Sequence, residues 1–254
     1  MATTQTPSLS FRKLLPIDKH PAYKNPSFNP DKVTTIRKGH VRFPGFGAFP
    51  IDVVFEQDRA IKLRDGVKIY TDVFHPVDKK VPAVLLWSPY GKGANESGPL
   101  NLNSMGPYRI GISYQRLSGY ETFEGLNPAE WAQRGYAIVD VDARGVGHSE
   151  GNIHFWGPQE AEDVYDTIEW AIKQPWCDGS VVMAGNSWLA ISAWNAASRF
   201  QHPALKAIAP WEGLTDVYKD QAVRGGRPAP PMFNQMIMGS FAGTYAETTC
   251  LFVI

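Results

Sequence analysis

The sequence carries no surplus of either charge: 25 Lys and Arg stand against 25 Asp and Glu in 254 residues. Binding to nucleic acid or to an anionic membrane draws on a basic excess, so neither partner is expected. Cysteine occurs only at Cys177 and Cys250, too few for a disulfide framework and without the spacing of a metal site. The chain has neither the G-x-G-x-x-G fingerprint of dinucleotide-binding folds nor the lysine of a P-loop, and no cofactor or metal is expected. No stretch approaches the roughly 18 apolar residues of a membrane span. The first residues, MATTQTPSLSFRKLLPIDKH, lack the apolar centre of a secretion signal. Repeats and low-complexity blocks are absent too. At 43% hydrophobic and 20% charged residues, a sizeable core is within reach. A soluble, cytoplasmic protein is the expectation, and the oligomeric state is left open.

What is present has a rhythm. Continuous apolar runs at VPAVLLWSPY (81–90), YAIVDVDARG (136–145), VVMAG (181–185) and LKAIAPW (205–211) suit strands buried on both faces. Helical patterns lie between them, over 128–135, 157–176 and the residues after Ser187. In the 157–176 segment Pro158 suits a first turn, acidic residues suit the dipole's positive end, and Pro175 stops the helix. Strands alternating with helices imply a mostly parallel sheet with helices on both faces, an α/β class. Earlier, IDVVFEQD and AIKLRDGVKIYTDVFHP read as strands with a hairpin at Asp65-Gly66. Residues 1–48 read as an arm lying on the domain. The stretch 91–127 is a long, aperiodic connection leaving the carboxyl end of a strand, where open α/β sheets bind ligands.

Three stretches could carry chemistry. In AGNSWLAISAW, Ser187 follows a buried strand and precedes a helix, the setting of a nucleophile elbow. The strict G-x-S-x-G fails, because Leu189 stands at the second glycine and the small residue, Ala190, comes one later. A nucleophile and a helix N-cap both fit. In VDVDARGVGHSEG, Asp142 and Arg144 read as a pair fixing a tight loop; His148 reads as a base or as a loop histidine at the rim. In SPYGKG, Tyr90 reads as an oxyanion donor or as an aromatic packed under the long loop.

Together and in order, these stretches resemble the N-terminal part of the CocE/NonD hydrolases, the Xaa-Pro dipeptidyl-peptidase (peptidase S15) group. LRDGVKIYTDVFHP resembles their opening hairpin, SPYGKG their P-Y-x-K stretch, DARGVGHSEG their D-x-R-G-x-x-x-S-E-G loop and AGNSWLAISAW their elbow, over about residues 50–240. The resemblance implies an α/β-hydrolase fold. It makes Ser187 the nucleophile, with Tyr90 and the backbone N–H of Trp188 as the two oxyanion donors. It implies cleavage of an ester or amide, including a Xaa-Pro dipeptidyl bond, through an acyl-enzyme, on a small-molecule or peptide substrate and without a cofactor. It divides the chain into an arm (1–48), an incomplete hydrolase core (49–214) and the start of a helical cap with an aberrant tail (215–254), NQMIMGSFAG reading as cap helix. In this fold the triad acid and histidine follow the serine. The one later histidine, His202, reads as a surface loop residue at the far end of the sheet; Asp216 and Asp220 are followed by no histidine. The expectation is a chain truncated before the last strands, with the triad acid and base beyond residue 254 and little turnover of its own. A binding module of the same fold, with Tyr108, Tyr114 and Tyr120 lining a pocket, is the alternative; a nucleotide-binding domain is a weaker third.

Overall fold

A computed structural model of the chain describes residues 28–92, 112–154 and 156–228, with the backbone of 10–12 and 251–253. Seven strands form one sheet: β2 (Lys32–Ile36), β3 (Val53–Lys62), β4 (Lys68–Pro76), β5 (Val81–Ser88), β6 (Ala137–Asp142), β7 (Cys177–Gly185) and β8 (Leu205–Pro210). Their order is β2-β3-β4-β6-β5-β7-β8. The pairs β2–β3, β3–β4 and β4–β6 are antiparallel, whereas β5–β6, β5–β7 and β7–β8 are parallel. The sheet is thus antiparallel where hairpins build it and parallel where helices do. Separately, β1 (Ser10–Arg12) pairs antiparallel with β11 (Leu251–Val253), and β9 (Val223–Arg224) with β10 (Arg227–Pro228).

The helices are α1 (Pro128–Gln133), α2 (Pro158–Ala171) and α3 (Trp188–Arg199). Asn127 caps α1, its Oδ1 accepting from the Ala129 N–H at 2.9 Å, with Pro128 in the first turn. The connection from β5 to β6 moves one way across the sheet; those from β6 to β7 and from β7 to β8 move the other. Right-handed crossovers therefore set α1 on one face and α2 and α3 on the opposite one. The core lies along the central strands, where Leu85, Leu86, Trp87, Ile138 and Met183 are fully buried. Leu85 pairs with Val139 on one side and Met183 on the other.

The Asp65-Gly66 hairpin forms, with Gly66 at φ 91°. Other readings change. Lys32–Ile36, inside the segment read as an arm, is a strand paired with β3. The helix expected over 157–176 ends at Ala171: the position before a proline disfavours helix, the Gln174 backbone N–H donates to the Ala171 carbonyl at 3.1 Å, and its side-chain Nε2 donates to the Trp170 carbonyl at 2.9 Å. Asp142 and Arg144 do not pair. Arg144 makes a bidentate contact with Asp163 (2.7 Å to each oxygen) and a 2.8 Å ion pair with Asp65, while Asp142 faces Lys92. Asp142 is the last residue of β6, whereas Arg144 lies in the turn beyond it, where strand alternation no longer sets its direction. The segment 234–243 and Tyr108 lie outside the described residues.

Candidate active site

The carboxyl ends of β5 and β7 converge on one point. At the end of β7, Ser187 has φ 52° and ψ −116°, outside the regions open to ordinary residues, and α3 begins at the next residue. Its side chain makes no capping hydrogen bond, so the serine stands at the N-cap position without acting as a cap. The turn is as tight as an elbow requires. A Cβ on Gly185 would meet Cβ of Leu189 at 2.5 Å, and Gly185 itself has φ 141°. Two long-range backbone bonds hold the elbow: the Asn186 N–H donates to the Glu124 carbonyl at 3.1 Å, and the Trp211 N–H to the Gly185 carbonyl at 3.1 Å. Trp188 opens α3, placing its backbone N–H at the positive end of the helix dipole beside the serine.

Tyr90 sits just past β5, its ring edge-on to Phe123 at 5.1 Å. Hydrogen bonds fix its loop from below. The Tyr90 N–H donates to Ser88 Oγ at 3.1 Å, and the Thr122 hydroxyl to the Gly91 carbonyl at 2.8 Å. Two residues on, Lys92 is clamped: its backbone N–H donates to Asp142, its ammonium to Asp58, and the ammonium lies 3.3 Å from Asp72. Burial works to lower the Lys92 ammonium, and Asp72, Asp142 and Asp58 outweigh it and raise it. Burial in turn pushes Asp142 up to about 7 and raises Asp72. The P-Y-x-K stretch therefore bolts the tyrosine's loop to buried carboxyls of β3, β4 and β6.

Two carboxyls that sequence reading missed border the elbow. Glu124, at φ 63°, is pushed up to about 7 by burial, against hydrogen bonding from the side chains of Tyr90, Asn186 and Ser187; Glu212 raises it further. Its Oε1 accepts from Asn186 Nδ2 at 3.4 Å; its Oε2 is buried with no hydrogen-bond partner. Beneath the elbow, Glu160 of α2 accepts from the Trp188 indole at 3.2 Å, from the Ser192 hydroxyl and from the Trp156 N–H at 3.1 Å. Burial pushes it, too, up to about 7. Glu160 had a signal in its first-turn position; Glu124 had none, since an aperiodic loop places it.

The described histidines are elsewhere. His148 stacks on Phe28 with ring centroids 4.1 Å apart. His202 is not a surface residue: its side chain is 1% exposed, with Nε2 3.0 Å from Glu169 and Nδ1 accepting from the Ala204 N–H at 3.0 Å. It locks the turn entering β8, at the end of the sheet away from Ser187. Among the described residues no histidine hydrogen-bonds Ser187. Asp220 accepts from the Thr215 and Asp216 N–H groups, and Asp216 from that of Lys219. Tyr120 is a core aromatic against Phe49, Phe55 and Phe74, and Tyr114 packs on Phe46.

The model of the X-Pro dipeptidyl-peptidase (S15) family matches residues 65–247. A putative serine esterase of Mycobacterium bovis is 34% identical over 171 residues, which cover 65% of this chain and 26% of that protein. The cocaine esterase of a Rhodococcus species is 32% identical over 164 residues, 63% of this chain and 24% of the esterase. A crystal structure of a CocE/NonD family hydrolase from Staphylococcus aureus superposes with a TM-score of 0.70 at 32% identity, over 89% of this chain and 40% of that one. The chain spans about a quarter of the length of the curated relatives it matches. No helix among its described residues is long and apolar enough to cross a membrane. With the sheet order, the elbow and these matches in agreement, the chain belongs to the X-Pro dipeptidyl-peptidase (S15) family of α/β-hydrolases.

Proposed function

We propose that the chain carries the nucleophile and oxyanion hole of a serine hydrolase acting on a small ester or amide. The observation that carries this reading is Ser187 itself, held at φ 52° between a buried strand and a helix N-terminus. Strain of this kind costs about 1–3 kcal/mol and persists where a site needs the geometry. Ser187 Oγ attacks the carbonyl carbon, its proton leaving to a base. The carbonyl oxygen becomes an oxyanion held by the Trp188 N–H and the Tyr90 O–H, each donor contributing about 3–4 kcal/mol to the transition state. Expulsion of the leaving group gives an acyl-enzyme, which water releases. The esterases among the relatives favour an ester over a dipeptidyl substrate.

With no histidine bonded to Ser187 among the described residues, slow turnover is expected of the 254-residue chain by itself. The same observation favours a second reading, a binding module of hydrolase fold. A fluorophosphonate probe tests the first. Ser187 Oγ bonds phosphorus, fluoride leaves, and intact mass reads the adduct. Labelling lost in Ser187→Ala is expected. A folded chain that stays unlabelled, while binding an ester analogue equally well with and without the serine hydroxyl, would replace the hydrolase by the binding module.

A further inference from the structure

Glu160, in the first turn of α2, gathers three donors from two separate stretches of the chain. Its Oε1 accepts from the Trp188 indole at 3.2 Å and from the Ser192 hydroxyl; its Oε2 accepts from the Trp156 N–H at 3.1 Å. Glu160, Trp188 and Ser192 are 3%, 1% and 1% exposed, so water does not stand in for the bonds to α3. Trp188 and Ser192 are four residues apart, in successive turns on one face of that helix. One oxygen holding both resists rotation of α3 about its axis as well as sliding along it. Trp156, at φ 40°, closes the arrangement: its ring centroid lies 4.6 Å from that of Trp188. The indole is thus held at its N–H by a carboxyl and alongside by a second ring.

We propose, building on the hydrolase reading, that Glu160 is a positioning residue: by gripping the buried indole of Trp188 it sets the direction of the backbone N–H of that same residue, and so the reach of the N–H to the oxyanion. The two N–H groups share one residue at the start of α3, so an indole that cannot turn leaves the amide little room to tilt. A donor serves an oxyanion only within a narrow range, about 2.7–3.1 Å. The side chains of Glu160 and Trp188 are closed to solvent, so the carboxyl acts through the protein and not by contact with substrate.

Phosphonylation of Ser187 by the fluorophosphonate, followed on the full chain over a range of probe concentrations, separates binding (the half-saturating concentration) from bond formation (the limiting rate). In Glu160→Leu, which fills the volume and offers no acceptor, the limiting rate is expected to fall about 10- to 100-fold, the scale of a misplaced contact, with the half-saturating concentration unchanged. Glu160→Gln keeps a carbonyl oxygen for the indole and the hydroxyl and is expected to restore most of the rate. Trp188→Phe deletes the indole N–H and keeps the backbone one. It is expected to slow bond formation as Glu160→Leu does, and the double variant to be no slower than either single one. Ultraviolet Raman spectra, in which the indole N–H band reports its hydrogen bond, read the contact without any labelling: the band lost in Trp188→Phe is expected to shift in Glu160→Leu. An unchanged limiting rate in folded Glu160→Leu overturns the proposal, and so does one in Trp188→Phe, which decides the matter even where Glu160→Leu does not fold. A rise in the half-saturating concentration that accounts for the loss overturns it as well, as do single losses that multiply in the double variant; either would make Glu160 a general support of the fold. An unshifted Raman band with labelling intact overturns this role alone. A shifted band with no labelling of wild type at any concentration overturns the hydrolase reading, and this role with it.

Discussion

Replacing Lys92 by methionine removes the ammonium from a buried group of three carboxyls. The ammonium donates to Asp58 and lies 3.3 Å from Asp72, with Asp142 on its backbone N–H. The lysine side chain is 10% exposed and those of Asp58 and Asp72 are 3% and 7% exposed, so water does little to replace it. Breaking such a pair typically costs about 3–5 kcal/mol, because the partner charge is left buried and uncompensated. The loss carries a pH signature. Burial holds the folded-state pKa of Asp142, at about 7, above its value in the unfolded chain. A carboxyl raised in this way favours the folded state below the unfolded pKa and loses that contribution as pH rises through the folded one. Without Lys92, Asp142 and Asp72 are raised further, since the cation that opposes their burial is gone. Each one kept neutral in the variant but ionised in wild type adds about 1.4 kcal/mol per pH unit to the difference. Urea denaturation near pH 7.5 is therefore expected to show a loss of about 3–5 kcal/mol, falling to roughly half near pH 5. An equal loss at both pH values, or one under about 1 kcal/mol, would show that Lys92 neutralises nothing.

Two further substitutions test the scaffold around the site. Gly185→Ala puts a methyl group 2.5 Å from Leu189 Cβ at a φ of 141°; backbone strain and overpacking together should cost about 3 kcal/mol. A midpoint of urea unfolding unchanged from wild type would mean that the turn has slack. Arg144→Lys keeps the charge but loses the two-pronged contact with Asp163, whose oxygens both lie 2.7 Å away. A loss of about 2 kcal/mol is expected by thermal denaturation; an unchanged midpoint would show that charge alone holds that loop.

The sequence made the parallel core legible because a strand buried on both faces must be apolar throughout, and VPAVLLWS leaves no other reading. The elbow was legible for a related reason: only glycine tolerates the crowded turn at the end of β7, and Gly185 stands there. The partners of charges were not. Asp142 and Arg144 are two residues apart in the chain, yet one meets Lys92, 50 residues earlier, and the other Asp163, 19 residues later. Such choices are made by the packing of elements, which no local pattern encodes. His202 misled for the opposite reason, since a loop position suggested exposure while a tight turn needed a buried acceptor for the Ala204 N–H. Glu124 sits in a stretch without periodicity, so only its neighbours in space reveal it.

The backbone bonds that grip the elbow have a consequence for how the serine comes into being. Asn186 answers to Glu124, 62 positions away, and Trp211 to Gly185 across a complete helical crossover. Neither bond can form before the intervening strands have found their places. During folding, then, Ser187 is an ordinary hydroxyl on a relaxed backbone, and it acquires its unusual conformation in the same cooperative step that completes the central sheet. On the proposed hydrolase reading, any nucleophilic chemistry at Ser187 is latent until assembly is finished, so a partly folded chain exposes apolar strands without the elbow.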